Sequence, residues 1–560
     1  MFSKKKILIL LIFLLYQTPI HSKSNSFNDF NSKNLSRYFS GIVAFENKNN
    51  SKALNFFNSS KILIDRHDPY LKRLINSLVL ENKVSQAINE VKRNKGKKNS
   101  NFFDAYLLLT LDSIKKENFN LALEQLENAI TLVDQNNFDT AIVETLKQYI
   151  FVFKEKKILR DKKNFGKFSV ISETFQRCYL GNKNTDAFFK QLFNDPGNDY
   201  TRYIYFYISY LIEENRLNEA KKISEEIHYA NTTILLSQGK SWIENEYIKK
   251  FSQVFSCKNH NHIIGEFLFL ISNLYSSQDD FEKSNFYLNL SIFLNPKFVF
   301  NLSLIAENHF LNSEYKKAKK ILKNFKRENE FYYWYRIKKE TQIIAKQKSK
   351  KESLNFIKSE FSKINKPNEK HLLDMANFYR NAKEYNEAIN YYTNVIQIIG
   401  DNTEIKSDLL YRRGGCYERI GNHKMADKDL LLSLEIEPDD AYVLNYLAYS
   451  WLERNYKINE AIQMLEKAYA SESDDPYIID SIGWAYYLID DYIKAEKFLK
   501  RAVELMPDDP IVNDHYGDIL WKLNRKIQAR YFWSNVLDMD DAEKDILDKI
   551  NQKLIEGLKS

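Results

Sequence analysis

The sequence predicts an all-α fold, an α-solenoid of stacked antiparallel helix pairs, and three observations predict it. Gly483, Ala495 and Ala502 recur as Gly517, Ala529 and Val536, each 34 positions further on, and Gly414, Tyr417, Ala426 and Pro438 fall on the same grid upstream. A fixed period between 20 and 50 residues marks a stacked repeat, and 34 residues make one helix–turn–helix unit. Gly and Pro are scarce, 14 and 9 among 560 residues, which suits long helices and argues against an all-β chain with frequent turns. Aromatic residues reach 14%, many of them Tyr and Phe at helical spacing, the bulky knobs that fill gaps between helix pairs. A chain this long could hold several ordinary domains, but stacked units bury their apolar faces against neighbours and grow without a central core.

The elements follow in order. Residues 1–24 read as an export signal: Lys4, Lys5 and Lys6 form a basic head, Ile7 to Tyr16 an apolar run, and Ser22 and Ser24 offer cleavage positions. Ten residues of helix span about 15 Å, half of a roughly 30 Å hydrocarbon core, so the run reads as a signal peptide before an uncleaved anchor. No Cys follows it, and no later stretch is apolar enough to span a bilayer. The mature chain is therefore expected outside the cytoplasm, in the periplasm or exported. Residues 25–200 hold degenerate repeats, marked by Gly41, Ala53 and Phe57, then Ile75 and Ala87, then Ala122 and Ala129. Residues 201–400 hold further worn units around Ala220, Ser284, Ala306, Ala318, Ala376 and Ala388, with 334–365 a degenerate one. The stretches 131–198 and 229–262 resist assignment and are expected to form helical hairpins or a break between two solenoid halves, with a turn at 195–198.

Residues 401–540 hold four legible repeats, beginning near Ser407, Ala441, Pro476 and Pro510. Their small residues (Gly414, Ala426, Ala448, Ala461, Gly483, Ala495, Ala502, Gly517 and Ala529) mark where the two helices of a pair cross closely. A large side chain there would push the pair apart, and overpacking costs about 1–3 kcal/mol. Pro507 ends a second helix, and the acid pairs Asp474-Asp475 and Asp508-Asp509 stand at the start of the next first helix, where carboxylates cap and oppose the helix dipole. The second repeat carries one extra residue in its turn, around Tyr456. A final amphipathic helix within 541–560 is expected to cap the stack.

The pattern resembles the tetratricopeptide repeat. The stretches around Trp451, from Ile479 to Tyr487 and from Ile511 to Asp518 are similar to the long exported tetratricopeptide proteins of Gram-negative bacteria, especially alphaproteobacteria. The resemblance implies that the first helix of each pair lines a concave groove. Carried over by position, it implies a ligand-binding row of Tyr411, Asn445, Tyr449, Asp480, Trp484, Tyr487, Asp514, Asp518 and Trp521, aromatic and acidic, suited to an extended segment with apolar and basic side chains. Trp484 and Tyr487 could equally pack between helices. Arg412 and Asn445 stand as isolated candidates for a carboxylate clamp, which is not assembled in the sequence.

Charge is divided along the chain. Residues 401–560 hold 32 acidic and 21 basic side chains, net −11; against totals of 74 and 82, residues 1–400 hold 42 and 61, net +19. A solvated Lys-rich exterior explains this most simply, and peripheral association with a membrane is compatible with it. No charge run resembles a nucleic-acid arm. Three cysteines, Cys178, Cys257 and Cys416, are too few and too scattered for a disulfide framework and read as buried thiols. Cys257, His260 and His262 lie close together, but a structural zinc needs four ligands and no second pair is nearby, so a polar loop is expected and no metal. No phosphate loop, zinc-protease or serine-hydrolase motif occurs. The expected protein is a non-catalytic interaction scaffold or adaptor of the cell envelope, without cofactor, binding a protein or peptide such as an envelope protease or assembly factor. The rival reading is a glycan-binding or docking component of a cell-wall or polysaccharide enzyme system.

Overall fold

A computed structural model describes residues 31–133, 138–160, 162–194, 201–400, 403–539 and 542–558. The expected signal at 1–24 and the turn expected at 195–198 lie outside the described residues. Every regular element among the described residues is helical, and no helix there is long and apolar enough to cross a membrane. The chain divides into two compact units: one takes the residues up to Ile227 with Thr233–Arg336, the other His228–Thr232 with Ile337 onward. That division falls inside the segment 201–400.

In the second unit the helices alternate as pairs. Glu369–Asn381 precedes Tyr385–Ile399, Thr403–Arg419 precedes His423–Ile436, and Ala441–Glu453 precedes Ile458–Ser471. Pro476–Leu488 then precedes Tyr492–Leu505, Pro510–Lys522 precedes Lys526–Val536, and Lys544–Glu556 closes the chain. Local chemistry sets these boundaries. Asp440, Asp475 and Asp509 each accept hydrogen bonds from the backbone N–H groups two and three residues on, at 2.9–3.1 Å. Such caps satisfy donors the helix leaves orphaned, at about 1 kcal/mol each. Pro476 and Pro510 occupy first turns, where no N–H is needed. Pro507 lies in the turn after Leu505, and its carbonyl accepts from Asn513 Nδ2 at 2.8 Å. The extra residue around Tyr456 is absorbed by left-handed backbone at Asn455 and Lys457 (φ 50° and 48°).

The small residues sit where the repeat needs them. Ala426, Ala448, Ala461, Ala495, Ala502 and Ala529 are wholly buried. A Cβ on Gly483 would lie 2.8 Å from Leu499 Cγ and 3.1 Å from its backbone nitrogen, and one on Gly414 3.0 Å from Leu430 Cγ. Gly517 is closed in the same way by the Trp533 ring, whose Nε1 and Cδ1 such a Cβ would strike.

The first unit uses the same units differently. Its pairs include Ser32–Glu46 with Asn50–Ser59, Pro69–Leu80 with Val84–Arg93, and Phe103–Lys115 with Phe119–Ile130. Ala53, Ala87, Ala122 and Ala129 are buried at their crossings. Both unassigned stretches are helical: Phe138–Glu155, Lys167–Leu180 and Thr185–Phe193 in one, Ile234–Glu244 and Lys249–Val254 in the other. The degenerate unit at 334–365 is occupied by Glu330–Gln347, within which the division at Arg336 and Ile337 falls, and by Lys350–Phe361 of the second unit. Within the first unit, Phe281–Leu294 packs against Pro69–Leu80, and His260–Ser276 against Phe103–Lys115. Asn289 Nδ2 donates to the Leu80 carbonyl at 3.4 Å, and Lys317 Nζ to the Lys48 carbonyl at 2.6 Å. One apolar core joins Tyr70 and Leu74 to Phe286, Tyr287 and Leu290.

The cysteines correct the sequence reading. Cys178 and Cys257 form a disulfide across 79 residues, leaving Cys416 as a buried free thiol. Sequence separation hid the pair, because only the packing of Lys167–Leu180 beside the loop before His260–Ser276 brings the two Cα atoms to 5.5 Å. His262 Nδ1 accepts from the Ser256 backbone N–H at 3.0 Å, and the His260 ring meets Phe119 edge-on.

Candidate functional site

The first helices of the last three repeats lie side by side in the second unit, Ala441–Glu453 against Pro476–Leu488 and that against Pro510–Lys522. Residues at equivalent positions therefore form rows across them. Asn445, Asp480 and Asp514 make one row, continued by Tyr411; Tyr449, Trp484 and Asp518 stand one turn further on, and Tyr487 and Trp521 beyond those.

At the centre Trp484 stacks on Tyr487 at 4.6 Å and on His515 at 4.0 Å, both nearly parallel, and the Tyr449 ring lies 6.4 Å from His515. Asp480, almost fully buried at 4% exposure, accepts from or pairs with His515 Nδ1 through Oδ2 at 2.8 Å. Burial alone would depress the imidazole, but Asp480, with Asp514 and Asp518 behind it, outweighs burial and holds its pKa above the ordinary value. An imidazolium stacked on an indole face gains cation–π attraction. The other Asp480 oxygen, Oδ1, and Asn445 Oδ1 are buried without a hydrogen-bond partner among the described residues. Burial likewise raises the Tyr449 phenol, with Glu453, Asp480 and Asp514 adding to it.

One end of the row is covered by the chain itself. Lys553, on the closing helix Lys544–Glu556, donates to Asp514 Oδ1 at 2.5 Å and to both Asp518 oxygens at 2.7 and 2.8 Å. Asp518 also accepts from Trp533 Nε1 at 3.0 Å. Burial, reinforced by the Asp514 charge, pushes the Asp518 carboxyl up to about 6 against the pull of Lys553. Gly557 lies directly against the Trp521 ring, and Lys526 and Arg530 stand over that ring at 5.1 and 5.0 Å. Asp518 and Trp521 thus serve the seat of the closing helix, and Asp514 shares its charge with it.

At the other end Tyr411 meets Tyr446 edge-on at 5.7 Å beside a cavity of about 180 Å³ lined by Arg380, Arg412, Arg419, Tyr385, Gly415 and Cys416. Arg412 pairs with Asp408 at 2.7 Å, and Arg419 approaches Glu418 at 3.7 Å. Arg412 is therefore not isolated, as its sequence position suggests: Arg419, two turns further along its own helix, and Arg380, from Glu369–Asn381, line the same cavity.

Sequence reasoning missed an apolar row. Tyr442, Tyr477 and Ile511, each the second residue of its helix, are 53%, 54% and 42% exposed. The spacing of 35 and 34 residues was the available signal. His515 and Lys553 were also missed, the second because its partners lie 35 and 39 residues away on another element.

Stacked helix pairs with such an inner row define a helical-repeat protein. The repeat type is then set by comparison: residues 372–406, and residues 407–440 and 478–509, match tetratricopeptide-repeat family models, so the chain carries tetratricopeptide repeats there. It is similar to a TPR repeat-containing protein of Pseudomonas aeruginosa, 34% identical over 111 residues, 20% of this chain and 19% of that protein. Protein bimA of Emericella nidulans is 28% identical over 85 residues, 15% of this chain and 10% of the other. The chain thus spans less than a fifth of either curated relative. Among solved structures, yeast Tom70 is 12% identical, covering 93% of this chain and 94% of its own, with a TM-score of 0.34. The Cut9–Hcn1 hetero-tetramer of the APC/C is 13% identical, covering 94% and 97%, with a TM-score of 0.38. Likenesses this distant carry no functional argument.

Proposed function

We propose that the protein is a non-catalytic adaptor of the cell envelope, holding a segment of a partner protein against the inner row of its C-terminal repeats. The observation that carries the reading is the central cluster: a half-buried Trp484 stacked with Tyr487 and His515 over a buried Asp480 whose second oxygen has no partner. Aromatic anchors beside a desolvated polar group are the usual makings of an interface hot spot. Tetratricopeptide repeats serve in general as protein-interaction scaffolds, which supports a protein partner over a catalytic role. The basic head and apolar run of residues 1–24 support export, and the Cys178–Cys257 disulfide suits an oxidising compartment. An envelope protease or an assembly factor fits as the partner.

The test is a pull-down from envelope extract with wild type and with Trp484→Ala plus Tyr449→Ala, both checked for folding by circular dichroism. The reading expects a discrete protein retained by wild type and lost from the variant. Equal recovery of every partner by both, or recovery of polysaccharide-synthesis components alone, would count against it.

A further inference from the structure

Resting on the groove reading above, we infer that the occupant is an extended segment carrying two opposite charges: an acidic side chain in the cavity of Arg380, Arg412 and Arg419, and a basic side chain on Asp480, about six residues apart. Two independent features carry this. The cavity of about 180 Å³ presents three guanidinium groups and three tyrosines; Asp408 pairs with Arg412 and Glu418 approaches Arg419. Among the described residues the Arg380 guanidinium has neither an ion pair nor a hydrogen bond. Guanidinium forks match carboxylate geometry, so this lining selects an acid over a neutral group. The opening exists because Gly415 stands where Tyr449, Trp484 and Asp518 stand in the later repeats; the nearest atom to a Cβ there is Tyr446 Oη at 3.5 Å.

The second feature is Asp480 Oδ1, buried and unpartnered next to Asn445 Oδ1, in a block of net charge −11. An unpaired buried carboxylate oxygen is costly, and an incoming ammonium or guanidinium relieves it. His515 faces Asp480 from the next helix and Lys553 is committed to Asp514 and Asp518, so among the described residues no cation pairs with this oxygen.

Geometry sets the separation. Arg412 and Asp480 lie on first helices two repeats apart, packed helices stand roughly 10 Å apart, and an extended chain advances about 3.4 Å per residue. Two steps therefore span about six residues. The exposed Tyr442, Tyr477 and Ile511 flank the same path, favouring an apolar residue about every third position.

A library of random twelve-residue peptides displayed on phage, panned against the full chain, reads this directly. Selected peptides should share an acidic and a basic residue five to seven positions apart. Arg380→Gln with Arg412→Gln, and separately Gly415→Leu filling the cavity, should weaken a selected synthetic peptide at least tenfold. Replacing that peptide's acid by Gln should cause a similar loss on wild type and little further loss on the arginine variant. Asp480→Asn should do the same for the basic residue. Peptides that bind and are lost with Trp484→Ala, yet carry no such charge pair, would overturn this inference and leave the groove reading standing. Failure to select any peptide also overturns it, and the pull-down then decides whether the groove reading falls too.

Discussion

The two units treat the inner face of the same repeat in opposite ways. In the first, later helices of the unit press onto the first helices of its early pairs: Phe281–Leu294 carries Phe286, Tyr287 and Leu290 into the core formed by Tyr70 and Leu74. In the second, the last three first helices keep Tyr449, Trp484 and Tyr487 partly exposed over Asp480, and only the far end is covered by Lys544–Glu556. The lesson is that the repeat specifies a helix crossing, set by its small residues. What fills the inner row is decided by side chains outside that signature. Bulky apolar residues make it a core; a mixture of aromatics and carboxylates keeps it a surface.

The largest expected effect separates the units by stability. Replacing Cys178 and Cys257 by Ser frees a loop spanning 79 residues, which the chain-entropy model values at about 4 kcal/mol. The melting of the first unit should fall while that of the second stays; calorimetry showing one equal shift in both would break the comparison. Next, Gly483→Leu places a side chain into Leu499, whose backbone nitrogen cannot yield, and should cost the second unit about 3 kcal/mol. Gly415→Ala, on the inner row and away from the crossing, meets nothing closer than 3.5 Å and should not destabilise, gaining about 0.5–1 kcal/mol from helix propensity. Equal melting curves for the two variants would mean the crossing is misplaced.

A smaller, pH-dependent effect follows from Asp518. Its folded pKa, about 6, lies above the ordinary carboxyl value of 3.8, so over that range the folded state holds a proton that the unfolded chain releases. Stability from this group therefore falls as pH rises from about 4 to 6, by roughly 3 kcal/mol at most. His515, also raised, loses its contribution as pH climbs further, above about 6.5. Asp518→Asn should flatten the denaturant midpoint between pH 4 and 6, and an unchanged slope would show that Lys553 keeps the carboxylate charged throughout.

Much of this was legible in the sequence, and the boundary is physical. Gly483, Ala495 and the capping Asp475 and Asp509 act within one repeat, so a 34-residue grid exposes them. The inner row followed from helix position, including Tyr449 and Trp484 on adjacent helices. What stayed hidden depends on contacts between separate elements: the Cys178–Cys257 bridge, Lys553 on Asp518, the joining of Arg380 to Arg412, and the packing of Phe281–Leu294 onto Pro69–Leu80. No local pattern encodes those, because the partners meet only once the elements that carry them have packed.

The inner row as the partner surface is tested most directly by photocrosslinking in living cells. A benzophenone amino acid would replace Trp484 in one strain and Ile493, 84% exposed on the second helix of the same repeat, in another. The account predicts a discrete crosslinked protein from position 484 and none from 493. A discrete product from 493 with none from 484 would contradict it.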